Sequence, residues 1–446
     1  MERLKELLNE KNYTELRREL GDMNVVDVAE FIGGSGDEES IVLFRVLPKD
    51  VMADVFAYLD ADRQEHLINA MTDRELTSVI GDLFVDDAVD FLEEVPANVV
   101  KRVLRLTDDK TREDIQRLLR YPEDSAGSLM TVELMELHDR LTVRQALDHI
   151  RETGFDKETV YTCYVIDDTH HLVGTMALRR LITAPEDSLL RNIMADNVIS
   201  VNTDADQESV ALEFSKYDLM SMPVVDKENR LVGLITVDDI VDVIQEENTE
   251  DIEKMAAMAP SGGKEYLRTS VMRLSRNRLP WLLILMLSAT FTGGIISHFE
   301  DLLSSAMILS SFIPMLMDSA GNCGSQSSVL VIRGLALNEL SPRDVMRILF
   351  KELRVGLVVG AALAVVNFAR VLIFQRSAGV MVALGVSMSL YITVVMAKLI
   401  GGFMPLLAKK IGFDPAVMAA PIITTLVDAL ALLVFFAIST QLLGLA

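Results

Sequence analysis

From residue 279 onward the chain carries five apolar stretches, at 279–297, 302–337, 355–374, 377–407 and 415–446. A bilayer crossing needs ~20 apolar residues in helical form, so each stretch is long enough and the second and fifth have length to spare. Buried helices of a water-soluble protein rarely show such apolarity five times in succession, so a five-helix transmembrane block is the expected architecture. The second stretch is interrupted by Pro314 and by Asp318-Ser319-Ala320-Gly321-Asn322, which leaves a six-span count, with this stretch split in two, as the alternative.

Loop charges set the orientation. Lys264, Arg268, Arg273, Arg276 and Arg278 precede the first stretch, and no basic residue separates the first from the second. Arg343, Arg347, Lys351 and Arg354 lie between the second and third, Arg370 and Arg376 near the third-to-fourth turn, and Lys409-Lys410 before the fifth. Lys and Arg concentrate on the cytoplasmic side of membrane proteins, so the amino terminus is expected inside and the carboxyl terminus outside. An odd number of spans agrees with that.

The remaining residues form a different kind of object. At ~150 residues per domain, 446 residues suggest about three units. Residues 1–270 hold 58 acidic against 29 basic side chains, while residues 271–446 hold 8 against 13. An acidic soluble body disfavours nucleic acid, whose phosphates are bound by clustered Lys and Arg, and favours cations. Cys163 and Cys323 stand far apart, so neither a disulfide framework nor a zinc site is indicated. Residues 1–6 lead into a charged amphipathic stretch with no apolar core segment, so no secretory signal is expected and the acidic body should lie in the cytosol.

Residues 1–120 show apolar positions at three- and four-residue spacing, as in Val51-Met52-Val55-Phe56-Leu59, and read as short helices. Pro48 and Pro96 are expected to open helices at first-turn positions. Leu59-Asp60-Ala61-Asp62 returns as Leu106-Thr107-Asp108-Asp109, which suggests a superhelical stack of helix pairs; an ordinary helical bundle is the alternative. Residues 130–245 contain a duplication: Val165-Ile166-Asp167 then Leu172-Val173-Gly174, against Val224-Val225-Asp226 then Leu231-Val232-Gly233. Each copy reads as strand, helix, strand, turn, strand, helix, opened by Met130-Thr131 or Met194-Ala195. An acidic helix follows, with Asp238, Asp239, Asp242, Glu246, Glu247, Glu250 and Asp251 at helical spacing, and Pro260-Ser261-Gly262-Gly263 ends it.

Polar groups inside an apolar block are functional candidates, because they are costly there. Asp428 is the sole ionisable side chain between Pro415 and Ala446. An unpaired carboxylate at mid-span costs ~2.5–3.5 kcal/mol, so either a basic partner (Lys398 or Arg333) or a wet, cation-holding cavity should offset it. The stretch from Pro314 to Arg333 carries Gly321 and Gly324 for close backbone approach, and Asn322 and Gln326 on one helix face. It reads as broken, polar backbone lining a water cavity, or as small-residue helix packing with amide bonds between helices. One Asp and a few amides suit a hydrated hard ion such as Mg2+, which gives up its waters reluctantly; soft metals want thiol or imidazole.

The duplicated unit resembles a tandem pair of CBS domains, at about 126–190 and 191–245. That family's nucleotide signature (Gly, then Thr or Ser three residues on, then Asp three further) is present as Gly233, Thr236 and Asp239, whereas the first copy has Gly174, Ala177 and Arg180. ATP is therefore a weak candidate cofactor, at Thr236 and Asp239. Pro314, Gly321-Asn322, Gly324, Gln326 and Arg333 resemble the signature of MgtE-family magnesium transporters, with Ala320 where a glycine is common. The order of parts also matches: an all-α N-terminal superhelical domain over 1–125, an α/β tandem CBS pair over 126–245, an acidic connecting helix over 238–262, and a five-helix transmembrane domain over 263–446.

The resemblance implies a homodimeric Mg2+ channel, not an enzyme, whose pore runs along the dimer interface. It is lined by the second and fifth spans, with Asn322 and with Asp428 and its twofold mate on the ion. It also implies regulatory Mg2+ sites at Asp54, Asp86 and Asp90, and at Glu208, Asp218, Asp239 and Asp242. Glu247 and Glu250 are placed opposite Asp414, where bound Mg2+ would draw the acidic helix against the pore. Gly356 and Gly360, at small-xxx-small spacing, are indirect support for a dimer. Competing readings are a Co2+ transporter, a Na+-coupled exchanger, a membrane-anchored CBS sensor, and an enzyme using Asp318 or Asp428 as acid and base.

Overall fold

Side-chain caps punctuate the first 120 residues and set their helix length. Asn12, Asn24, Asp60, Thr72 and Asp108 each accept a hydrogen bond from a backbone N–H one turn in, and Thr72 with Glu75 closes a capping box. The results are α1 (Glu2–Asn9), α2 (Tyr13–Asp22), α3 (Val25–Gly33), α4 (Asp37–Val46), α5 (Met52–Ala57), α6 (Ala61–Ala70), α7 (Asp73–Asp82), α8 (Val85–Glu94), α9 (Ala97–Leu106) and α10 (Asp109–Leu118). Pro48 and Pro96 sit one position earlier than the sequence suggests, as N-caps, of a 3-10 turn and of α9.

The computed structural model describes residues 1–260, 266–267, 269–418 and 420–443. Ser261, Gly262 and Gly263 of the helix break, and Lys264 and Arg268 of the basic run, lie outside the described residues. The chain divides into two compact units, Met1–Ile244 and Gln245–Ala446.

In the first unit each helix packs on the next but one: α3 on α5, α5 on α7, α7 on α9, and α4 on α6, α6 on α8, α8 on α10. That alternation builds a two-layered stack rather than a bundle around one axis. Phe56, fully buried, sits edge-on to Phe44 and Phe91 at 6.1 and 5.5 Å, joining α4, α5 and α8.

The duplication becomes two three-stranded sheets. After α11 (Ala126–Leu129) come β1 (Leu134–His138), α12 (Val143–Thr153), β2 (Thr159–Ile166), β3 (Leu172–Ala177) and α13 (Leu178–Thr183). The second copy has β4 (Val201–Asn202), α14 (Gln207–Tyr217), β5 (Ser221–Val225), β6 (Leu231–Thr236) and α15 (Val237–Met255). In each, the first two strands run parallel and the last two antiparallel, with Val165 opposite Gly174 and Val224 opposite Gly233, and a register shift one residue later in both. The copies exchange their opening segments. Met130 lies under Gly233 of the second copy and Met194 under Gly174 of the first, where any Cβ would collide with the methionine sulfur. Thr131 pairs with Leu234, and Thr175 with Ala195.

The second unit holds α16 (Val271–His298), α17 (Glu300–Ser305), a 3-10 turn over Met307–Phe312, α18 (Ile313–Ala336), α19 (Val345–Phe374), α20 (Gly379–Ile411) and α21 (Ala420–Leu443). Among the described residues four helical segments, rather than the expected five, are long and apolar enough to cross a membrane: Val271–His298, Pro342–Phe374, Arg376–Ile411 and Pro415–Leu442. The second stretch drops out because Asp318, Asn322, Gln326 and several serines dilute the 24-residue α18. Nor is α18 broken. Pro314 occupies its first turn, where a missing N–H costs nothing, and the helix continues without interruption to Ala336. α18 packs on α20 and α21, and α19 on α20. At the α18–α20 crossing the backbones touch, since a Cβ on Gly401 would strike the Gly324 carbonyl.

Candidate functional site

α18 is two-faced in an unusual sense. Leu316, Ala320, Cys323, Ser327 and Val331 are buried against its neighbours. Pro314, Asp318, Asn322, Gln326 and Leu330, four residues apart, form an exposed stripe. A polar stripe on a helix of an apolar block is tolerated where it meets water or other protein, not acyl chains. Beside it, on α21, Asp428 points toward Gly321, at which a Cβ would lie 3.8 Å from Asp428 Oδ1. That oxygen is buried and has no hydrogen-bond partner. Asp318 is the charged group acting on it.

Neither basic side chain proposed as a neutralising partner serves. Lys398, 5% exposed, donates from Nζ to Gln326 Oε1 at 3.0 Å, and Arg333 makes no ion pair with Asp428. Next to Gln326, Ser327 Oγ donates to Glu352 Oε2 of α19 at 2.6 Å. In the sequence Lys398 stands only as a possible partner for Asp428, and nothing singles out Glu352.

The first unit gathers carboxylates. Asp54 of α5, Asp86 and Asp87 of α8, Glu133 and Glu158 from the first sheet's loops, and Asp238, Asp239 and Asp242 of α15 act on one another. Asp86 Oδ1 is buried without a partner. Burial first, then the charges of Asp87 and Asp239, hold its carboxyl well above the usual range. Burial and Asp239 push Asp87 up to about 6; burial and Asp238 push Glu158 up to about 7. Asp239 is raised by burial even though Thr236 Oγ1 donates to its Oδ2 at 2.7 Å. Repulsion of this kind is relieved by protons or by cations.

Of the expected regulatory residues, Asp54, Asp86, Asp239 and Asp242 come together. Asp90 is on the exposed side of α8, and Glu208 and Asp218 sit at opposite ends of α14, both exposed. Asp87, Glu133, Glu158 and Asp238 were missed. The doublets Asp86-Asp87 and Asp238-Asp239 are the signal that could have found two of them; Glu133 and Glu158 meet the others through tertiary folding alone. Among the described residues no three His, Cys, Asp or Glu side chains close to a distance that would hold a bare metal ion.

The second unit has its own acidic contact. Lys254, in the last turn of α15, donates from Nζ to Glu250 Oε1 and to Asp414 Oδ2, both at 2.7 Å. Burial lowers the Lys254 pKa, but the bonds to Asp414 and Glu250 outweigh it and the net shift is upward. Asp414 Oδ1 accepts from the Ala416 N–H at 2.8 Å. Glu250 and Asp414 therefore do meet, through an ammonium. Asp251 beside them is raised by burial and by Asp414.

Comparison with known proteins fits this anatomy. Residues 313–438 match the MgtE divalent cation transporter family, residues 23–124 the MgtE intracellular N domain and residues 190–246 the CBS domain. The fold and its polar-striped membrane unit thus define a multi-pass divalent-cation transporter with a cytoplasmic N-terminal part. The magnesium transporter MgtE of Thermus thermophilus is 35% identical over 99% of this chain and 98% of its own length. That of Bacillus subtilis is 31% identical over 97% and 95%. The chain belongs to the MgtE family of magnesium transporters; it carries Mg2+ and is not an enzyme. Its soluble part is similar to the crystal structure of the cytosolic domain of the Mg2+ channel MgtE in complex with ATP (36% identity, 54% of this chain, 98% of that one, TM-score 0.52). It is equally similar to the soluble part of a magnesium transporter (30% identity, 55% and 96%, TM-score 0.52).

Proposed function

We propose that this chain is a homodimeric Mg2+ channel with five crossings, α18 being the second of them in chain order, amino terminus inside and carboxyl terminus outside. α18 falls short of lipid-compatible apolarity because its exposed stripe meets a hydrated path and the second copy. The carrying observation is Asp428 Oδ1, buried without a partner beside that stripe and ignored by the nearby Lys398. Two such carboxylates across a twofold axis, with Asn322 as outer acceptor, suit an ion that keeps most of its waters.

The cytosolic carboxylates are the sensor in this reading. Asp54, Asp86, Asp239 and Asp242, joined by Asp87 and Glu158, repel one another until Mg2+ bridges them through water, while Asp90 lies on the exposed side of α8. Glu208 and Asp218 form separate, exposed positions. Moving a gate from 1:99 to 99:1 takes ~5.5 kcal/mol of differential binding, so several weak sites of about 1 kcal/mol each suffice. A nucleotide would sit at the second CBS copy, where Thr236 and Asp239 are present; the similar cytosolic domain's complex with ATP supports this. Mg2+ flux into proteoliposomes, measured with and without a Na+ gradient, tests the channel: flux independent of Na+ supports it, and flux that requires the gradient makes the protein an exchanger.

A further inference from the structure

Lys398 is buried in the membrane unit, and among the described residues it forms no ion pair with a carboxylate. Its stem passes over Gly356 of α19, where a Cβ would meet Lys398 Cβ and Cγ at 3.5 and 3.7 Å. Its ammonium ends on Gln326 Oε1 at 3.0 Å, on the exposed stripe of α18. Glu352 approaches the same turn of α18 but spends its carboxylate on Ser327, and it forms no ion pair with Lys398. An ammonium has donors only, so the atom facing it must be the amide oxygen of Gln326. The Gln326 NH2 is left for the open side of the stripe.

The charge therefore changes sign along the stripe. Asp318 and Asp428 are acidic at one level, Asn322 lies one turn on, and Gln326 with Lys398 is positive a further turn toward the cytoplasmic end. We propose that Lys398, acting through Gln326, sets the inner limit of the cation-binding stretch and hastens Mg2+ release into the cytosol. This rests on the ion path proposed above. Conduction needs sites that bind well enough to fill and weakly enough to empty. Repulsion by a fixed charge acts twice as strongly on a divalent ion as on a monovalent one, so one ammonium is an effective brake on trapping Mg2+.

The test is Mg2+ flux against Mg2+ concentration in proteoliposomes of the full chain. Lys398→Gln keeps a hydrogen bond to Gln326 and removes the charge; it should lower the half-saturating Mg2+ on the order of tenfold and lower the maximal flux. Gln326→Glu, which neutralises the ammonium in place, should shift both in the same directions and keeps the inference testable where the first variant fails to fold. Lys398→Arg should stay near wild type. A fall in maximal flux with unchanged half-saturation marks a merely structural lysine and overturns the inference, as does no change in either variant. Asp428→Asn in the same vesicles separates the two readings: wild-type flux there removes the proposed path itself, whereas lost flux with unshifted half-saturation in the lysine and glutamine variants removes this inference alone.

Discussion

Lys254 Nζ and Asp414 Oδ2, 160 residues apart in sequence, meet at 2.7 Å, and the same ammonium holds Glu250. The end of the acidic helix α15 is thereby tied to the start of the last membrane segment by a cation that belongs to the chain. Partly exposed pairs of this kind contribute about 1 kcal/mol.

Lys254→Met should loosen that tie in Mg2+-free buffer, because Glu250, Asp251 and Asp414 are left to repel one another. Hydrogen exchange of the amides over 250–255 reads it directly. We expect faster exchange in the variant without Mg2+ and recovery when Mg2+ is added. Equal exchange in both proteins at zero Mg2+ would count against the tie.

Replacing Asp86, Asp87 and Asp239 together by Asn should make the cytosolic unit indifferent to Mg2+. The neutral side chains no longer repel, so protease resistance without Mg2+ rises above wild type and the Mg2+-dependent gain disappears. A variant that keeps the wild-type protection midpoint contradicts the sensor assignment.

Acid should imitate the ion. The folded carboxyls of Asp87 and Glu158 are raised to about 6 and about 7, above their unfolded values near 4. The folded form thus holds more protons in that window, and its stability declines as pH rises through about 6 to 7. Thermal unfolding of the full chain in EDTA should therefore occur at higher temperature at pH 5.5 than at pH 8. The Mg2+ needed for half-protection should rise as pH falls; a midpoint independent of pH argues against these groups.

Gly401→Ala should be poorly tolerated, since its methyl meets the Gly324 carbonyl where α18 and α20 touch. Overpacking of this sort costs about 1–3 kcal/mol, to be seen as a lower unfolding temperature of the detergent-solubilised protein. Gly293→Ala, where a Cβ meets nothing, is the control and should leave it unchanged.

Local signals carried most of the fold. Asp167 and Asp226 close equivalent turns by accepting N–H bonds from Thr169 and Glu228, which is why the duplicated Val-Ile/Val-Asp motif marked two sheets so clearly. The exchange of Met130 and Met194 between copies left no local trace, because each answers to a glycine in the other copy. In α18 the polar residues stand out in the sequence, whereas Pro314 promises a break that the helix does not contain. A proline breaks a helix interior and is harmless in the first turn, and the sequence does not say where the helix begins. Asp428 and Asn322 were conspicuous in the sequence because an apolar setting isolates a polar residue. Lys254 was not, since a lysine closing an acidic helix looks like an ordinary dipole partner until the fold brings Asp414 to it.

Mg2+ flux through Asp428→Asn and Asp428→Glu in proteoliposomes tests the central claim most directly. An unpaired carboxylate wetted by the ion path predicts that the amide abolishes flux at wild-type levels of inserted protein while the longer acid retains part of it. Flux through the amide equal to wild type would show that Asp428 does not meet the ion.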